Sequence, residues 1–429
     1  MRSLPVNQSL FIDNRKRLIE KLPPMTIAAV KSNLYSPTNA DATHDFIQHS
    51  DLYYLTGIQQ EDTALVLFPG AKDPDLREIL FVRASDPHTV VWEGHKLTKK
   101  EAKERSGVST IKLISEFDAT FRQLAYEAET IALSTNEHVR SASQVLTGND
   151  VFIDVVKKQF PLHNLFRLSP LLTALRMVKS ELEVQQISKA LSITEDGFRR
   201  VLQFTKPNVG EWEIEAEYAH EFIRQGAQGF AYTPIVASGA NACVLHYIEN
   251  DQRCLEGDLL LMDVASEWNS WNADMTRTIP VSGTFSDRQR EVYDSVLRIL
   301  RYAETVLRPG VSLKVYHEQV MMEMGRELVS LNLLSKEDLE EPNDWKAAVR
   351  KYYMHGTSHQ LGLDVHDVTA PNCVVAEGMV FTIEPGIYIP EEKIGVRLED
   401  NYYIGADRND NLSENIPIEA HEIEELMAL

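Results

Sequence analysis

The pattern of apolar and polar positions changes character partway along the chain. Up to about residue 175, short apolar runs (TIAAV at 26–30, TALVLF at 63–68, EILFV at 78–82, TIALS at 130–134) alternate with polar helical stretches such as 98–106. Brief apolar runs separated by helices predict α/β organisation. Beyond that point the helical spacing lengthens, over 180–203, 211–225, 286–307 and 312–331, with strand pairs interspersed. The change falls in LSPLLTALRMVKSELEVQQ, where Pro170 precedes a short strand-like run and Ser180 with Glu183 reads as a capping box. Leu182, Ile187, Leu191 and Phe198 continue at helical spacing. Two domains are therefore expected, 1–175 and 176–429.

Two strand pairs stand out in the second domain. The first is DLLLMDVASEWNSWNADMTRTIPVSG, read as two β-runs around a polar turn; the second is GMVFTIEPGIYI followed by GVRLEDNYYIG. Antiparallel strands covered by helices give an α+β class. Asp263 ends the run LLLMD, and Asp274 lies eleven residues later on the returning run. Glu384 follows MVFTI and Glu399 follows GVRL. A carboxylate ending an apolar strand is costly unless something compensates it.

Composition narrows the functional classes. The 429 residues carry 43 Lys+Arg against 64 Asp+Glu, a net charge of −21. Residues 1–175 hold 20 basic and 21 acidic side chains, whereas 176–429 hold 23 and 43, so the excess belongs to the second domain. Such acidity disfavours nucleic acid and anionic membrane surfaces as partners. No apolar run approaches the roughly 18–20 residues of a membrane span, and the start MRSLPVNQSLFIDNRKR lacks a signal-peptide core, so a cytoplasmic location is expected. Cys243, Cys254 and Cys373 show no CxxC spacing, which points to reduced thiols. The tail from 410 to 429 holds six acidic residues and no Lys or Arg, and reads as a solvated segment.

Between the strand pairs lies MHGTSHQLGLDVHD, with His355, His359 and His366; a further histidine, His246, sits in the strand-like SGANACVLHY. Carboxylates with one imidazole make a hard, oxygen-rich donor set, suited to manganese and able to accept cobalt, iron or zinc. Four carboxylates would balance two dications, the arrangement in which two metals share carboxylates and an activated water.

The ordered set of Asp263, Asp274, HGTSHQLGLDVHD, TIEPGIY and GVRLED closely resembles the dinuclear pita-bread metallopeptidases, and within them the aminopeptidase P family. FIQHSDLYYLTGI at 46–58 and VVWEG at 90–94 extend the resemblance to that family's N-terminal domain. It implies a C-terminal pita-bread domain behind an α/β creatinase-like one, two metal ions per chain, and Asp263, Asp274, His359, Glu384 and Glu399 as ligands, with Asp274 and Glu399 bridging. His246 and His366 resemble non-ligand histidines that stabilise charge on the scissile carbonyl. Glu384 would double as general base. Tyr388 and Arg397 resemble residues that orient the carboxylates, and His355 is expected to support the site through a hydrogen bond. Gln360 departs from an aromatic common in the family, and the stretches 367–383 and 389–396 are short, which bears on the substrate cleft.

The expected activity is removal of the first residue from peptides with proline second. Methionine aminopeptidases share the five ligands, but EPGIY and the long N-terminal domain favour proline specificity. Prolidase, acting on Xaa-Pro dipeptides, is the alternative. A non-catalytic pita-bread binding module or a metal-free creatinase type is disfavoured because no ligand is substituted. A homodimer or larger homo-oligomer is expected by analogy. Asp51 and Trp92 resemble positions that reach a neighbouring subunit's cleft, although a turn aspartate and a core aromatic are the reading adopted. Cys243 is not expected to be a nucleophile, since nothing near it would lower its pKa.

Overall fold

A computed structural model describes residues 5–40, 42–135, 137, 145–340 and 344–428. It comprises two compact units, Pro5–Arg176 and Met177–Leu429.

In the first unit a six-stranded mixed sheet runs in the order Thr110–Leu113, Glu78–Val82, Ala64–Leu67, Thr26–Lys31, Thr130–Leu133, Asn164–Arg167. Thr26–Lys31 pairs antiparallel with Ala64–Leu67 and parallel with Thr130–Leu133. The central strands are buried without alternation, as expected of a sheet covered on both faces. Phe117, Phe121, Phe152 and Phe160 pack over one face. The run after Pro170 is a helix, Ser169–Arg176, not the strand expected. Proline is tolerated in a first helical turn, and burial of Ser169, Leu172, Leu175 and Arg176 follows helical spacing.

Asp51 lies in the first turn of helix Ser50–Thr56 rather than in a loop turn, and is buried. Its Oδ1 accepts from Arg176 Nη1 at 2.8 Å and its Oδ2 from Ser134 Oγ at 2.7 Å. Trp92 is no core aromatic: it is 76% exposed on helix Pro87–Glu93.

In the second unit the four long helices appear as Glu181–Phe204, Glu211–Arg224, Asp287–Val306 and Leu313–Ser330. The first is capped as its sequence indicates, Ser180 N–H and Oγ–H both donating to Glu183 Oε2 at 2.9 Å. The site is built on two three-stranded antiparallel sheets, Thr276–Pro280, Leu259–Asp263 and Ile235–Ser238, and Val380–Ile383, Asp400–Ile404 and Asn409–Asn411, with the hairpin Gly386–Ile389 and Ile394–Arg397. The continuous runs expected from sequence are broken. Glu384 lies between strands Val380–Ile383 and Gly386–Ile389, and Glu399 between Ile394–Arg397 and Asp400–Ile404, each run changing pairing partner at its carboxylate. Asp274 sits just before Thr276–Pro280, after a small hairpin whose Asn269 and Ser270 have φ of 51° and 70°, the sign a type I′ turn requires.

The acidic tail is docked rather than solvated. Arg277 Nε donates to Pro417 O at 2.8 Å, the Tyr293 hydroxyl to Ile418 O at 2.7 Å, and Ile423 is fully buried on helix Ala420–Met427. Glu419 and Glu424 pair with Arg301 and Arg290.

Candidate active site

Strand register brings the carboxylates together. Asp263 pairs with Thr276 across the antiparallel ladder, which sets Asp274 beside it, and the Tyr232 hydroxyl contacts both acids, 2.6 Å from Asp263 Oδ1 and 2.7 Å from Asp274 Oδ1. Glu399 N–H donates to Thr276 O at 3.0 Å, laying the second strand pair along the first. Asn401 clamps the backbone of Asp274, donating from Nδ2 to its carbonyl at 2.7 Å and accepting its N–H at 3.1 Å. His359 enters from the loop before Val380–Ile383, held by two hydrogen bonds with Thr382. Its Nδ1 lies 3.0 Å from Gln360 O, so that nitrogen carries the proton and Nε2 faces Asp274 Oδ2 at 3.4 Å and Glu384 Oε1 at 3.9 Å.

Asp274, His359 and Glu399 each offer a ligand atom within 4.8 Å of the others. Glu399 Oε1 is buried with no hydrogen-bond partner, an arrangement that costs free energy unless a cation completes it. Burial, then the neighbouring carboxylates Asp274 and Glu384, push the Glu399 carboxyl well above its usual range. Burial pushes Glu384 up to about 7, with His359 opposing, and raises Asp263 with Arg397 opposing. His359 is raised to about 9, the adjacent Asp274 and Glu384 outweighing its burial. A crowd of carboxylates that resist ionising together is what divalent cations relieve, so the donor set fits such ions.

A hydrogen-bonded chain supports the acids. Arg397 Nη2 donates to Asp263 Oδ2 at 2.8 Å, its Nε to Thr276 Oγ1 at 3.1 Å, and its Nη1 to the Tyr388 hydroxyl at 2.9 Å. The Thr276 hydroxyl donates to Glu399 Oε2 at 2.8 Å. The Tyr388 hydroxyl lies 2.9 Å from His355 Nε2, whose other nitrogen meets Gly356 O, so Tyr388 donates and His355 accepts. Burial, then Arg397, hold His355 down at about 3, keeping it neutral. His355, Tyr388 and Arg397 thus form one network around Asp263 and Glu399.

The remaining candidates divide. His366 packs against His359, the rings tilted by 36° with centroids 3.8 Å apart. His246 is exposed in a turn after the short 3₁₀ segment Gly239–Cys243, not on a strand, because the chain leaves the sheet at Ser238. Cys243 is half-buried, its thiol directed at Ile394 O and pushed up to about 11 by burial, which leaves it unreactive. Gln360 does not line a cleft: it is fully buried, its Oε1 3.3 Å from Lys179 Nζ, which pairs with Asp367 at 2.9 Å. Tyr232, Thr276 and Asn401 escaped the sequence reading. Thr276 and Asn401 lie two residues from Asp274 and Glu399 in sequence, whereas Tyr232 meets its acids from 31 and 42 positions away and carries no such signal.

Residues 185–406 match the model for metallopeptidase family M24, and residues 11–132 match that for the aminopeptidase P N-terminal domain. The chain is 35% identical to a Haemophilus influenzae Xaa-Pro aminopeptidase over 100% of its own length and 98% of the relative's. The Escherichia coli Xaa-Pro aminopeptidase is 34% identical over 98% of each. Among solved structures, a putative aminopeptidase P from Bacillus anthracis superposes with a TM-score of 0.91 at 32% identity, covering 98% of both chains. Escherichia coli aminopeptidase P with the inhibitor Pro-Leu gives 0.89 at 31% identity, covering 99% of both. The two strand pairs and their acids therefore form the pita-bread fold, and the chain belongs to metallopeptidase family M24, with an aminopeptidase P N-terminal domain ahead of the metallopeptidase one.

Proposed function

We propose that this protein is an Xaa-Pro aminopeptidase, hydrolysing the bond between an N-terminal residue and a proline in second position. The observation that carries the reading is the convergence of Asp274, His359 and Glu399 on one point beside Glu384, with Glu399 Oε1 buried and unpaired. Asp263, Asp274, His359, Glu384 and Glu399 would hold two divalent cations, Mn²⁺ foremost because four of the five donors are carboxylates. Such ions supply a nucleophilic water at neutral pH and polarise the scissile carbonyl.

This chain's own residues do the rest. Glu384 takes the proton of the attacking water and delivers it to the leaving nitrogen. His246 and His366 donate to the carbonyl oxygen as it gains charge, stabilising the transition state more than the substrate. Arg397 and Tyr388 orient Asp263 and, through Thr276, Glu399. A bond to proline has no N–H to recognise, so selection rests on ring shape and on protonation of that nitrogen as it leaves.

Full-length similarity to Xaa-Pro aminopeptidases, one of them solved with the inhibitor Pro-Leu, supports the substrate class. The exposed Val90, Val91 and Trp92 support a homo-oligomer, and the three free cysteines suit a reducing, cytoplasmic setting. The test is a comparison of Xaa-Pro-Yaa tripeptides with Xaa-Pro dipeptides on manganese-loaded protein. Tripeptide cleavage is expected; cleavage of dipeptides alone would make the protein a prolidase.

A further inference from the structure

Glu211 opens helix Glu211–Arg224 and is fully buried. An acid in a helix's first turn ordinarily faces solvent near the helix dipole. This one instead collects five donors from a single segment. Oε1 accepts from Ser238 N–H at 2.8 Å, Ser238 Oγ at 2.7 Å and Asn241 Nδ2 at 3.4 Å. Oε2 accepts from the Tyr247 hydroxyl at 2.7 Å and Gln252 N–H at 2.9 Å, while Glu211 N–H donates to Gln252 O at 2.9 Å. The donors lie at both ends of 238–252, and Tyr247 is the immediate neighbour of His246.

The opposite side of the segment is pinned too. Cys243 donates its S–H to Ile394 O, and a Cβ on Gly395 would fall 2.3 Å from Ala242 O, so the backbone abuts the strand that carries Arg397. Between these anchors Val244, His246 and Ile248 stand exposed.

We infer that Glu211 is a positioning residue: its buried carboxylate ties the 238–252 segment and thereby fixes where His246 meets the substrate. The inference rests on the proposed role of His246. Only an acceptor-only group satisfies five converging donors; an amide at this position would turn an NH₂ toward N–H or O–H groups. Misplacing a transition-state donor by about 1 Å costs on the order of a hundredfold in rate.

The test is a cycle on the metal-loaded, full-length protein with Glu211→Gln, Tyr247→Phe, His246→Ala and both double variants, metal content being measured throughout. Glu211→Gln is expected to lower kcat by roughly ten- to a hundredfold, with KM changing much less and metal content unchanged. In the His246→Ala background the same change should alter kcat/KM by less than about twofold, since the two residues act as one. Equal losses in both backgrounds, or no loss in either, would overturn the inference. If Glu211→Gln does not fold, Tyr247→Phe is read by the same criteria with a several-fold effect. Impaired His246→Ala beside an unimpaired, folded Glu211→Gln sinks the inference alone. Full activity of His246→Ala removes the reading of His246 and the inference together.

Discussion

Arg397 holds Asp263 through Nη2 at 2.8 Å while Nη1, 2.9 Å from the Tyr388 hydroxyl, ties that contact to His355. Three guanidinium nitrogens serve three partners, which a lysine cannot do from a single ammonium. Arg397→Lys should therefore lower kcat/KM by about a hundredfold, and weaken metal binding by roughly 10- to 100-fold, as removal of ligand-orienting partners does. Chelator competition and steady-state kinetics on one preparation check both numbers. Unchanged values would mean that Arg397 is only an ion pair.

Tyr232 offers a single proton to two carboxylate oxygens, 2.6 and 2.7 Å away. Tyr232→Phe leaves these two acids without that contact. Metal affinity is expected to fall by about 10- to 100-fold, and the stabilisation that the metal adds to the folded protein to shrink with it. Calorimetric titration with Mn²⁺ measures it.

Asp274→Asn addresses the count of ions. Elemental analysis of the native protein after manganese loading should find close to two per chain, and fewer in the variant, because Asp274 is one of the three residues whose ligand atoms converge. An unchanged count would remove Asp274 from the ligand set.

The pH dependence of metal stabilisation has a definite sign. Glu384 rises from 4.5 to about 7 and His359 from 6.5 to about 9 in the metal-free fold, so the native state binds more protons than the unfolded chain across that range. The stability of the metal-free protein from these groups is fully present below their unfolded pKa values and is lost as pH rises through the folded ones. Divalent ions remove the need for those protons. The gap in Tm between loaded and EDTA-treated protein should widen steadily from about pH 5 to about pH 9. A gap that stayed constant would contradict the proton-for-metal exchange.

Lys179 and Asp367 form a pair whose side chains are 1% and 2% exposed. Gly362 closes over it, since a Cβ there would lie 2.2 Å from Asp367 Oδ2. Lys179→Ala removes the ammonium from this buried ion pair and should cost about 3–5 kcal/mol in denaturant unfolding. Gly362→Ala should destabilise through the clash alone.

The long helices are legible because each carries its own apolar period, and the first also a cap: Ser180 and Glu183 sit three residues apart and bond as that spacing implies. The five acid and imidazole positions form an ordered motif in the sequence, and of that set the structure brings Asp274, His359 and Glu399 to one point. What stayed hidden depends on partners distant in sequence. Asn401 meets Asp274 across 127 positions and Thr276 meets Glu399 across 123, which no local pattern encodes. The breaks at Glu384 and Glu399 were hidden for a related reason: apolar residues continue on both sides, and only the choice of pairing partner interrupts the strand. Ser169–Arg176 departs from the expected strand because Pro170, which reads as a break, sits in a helix's first turn, where proline is tolerated.

Those breaks have a consequence for folding quality. A slip of one residue in either strand pair would turn every side chain to the opposite face, carrying Glu384 or Glu399 away from Asp274. A chain trapped in such a register could retain its helices and much of its compactness and still be unable to bind a divalent ion. The metal content of a preparation is then a proofreading signal for sheet register, reporting the fraction of molecules whose two strand pairs closed in step.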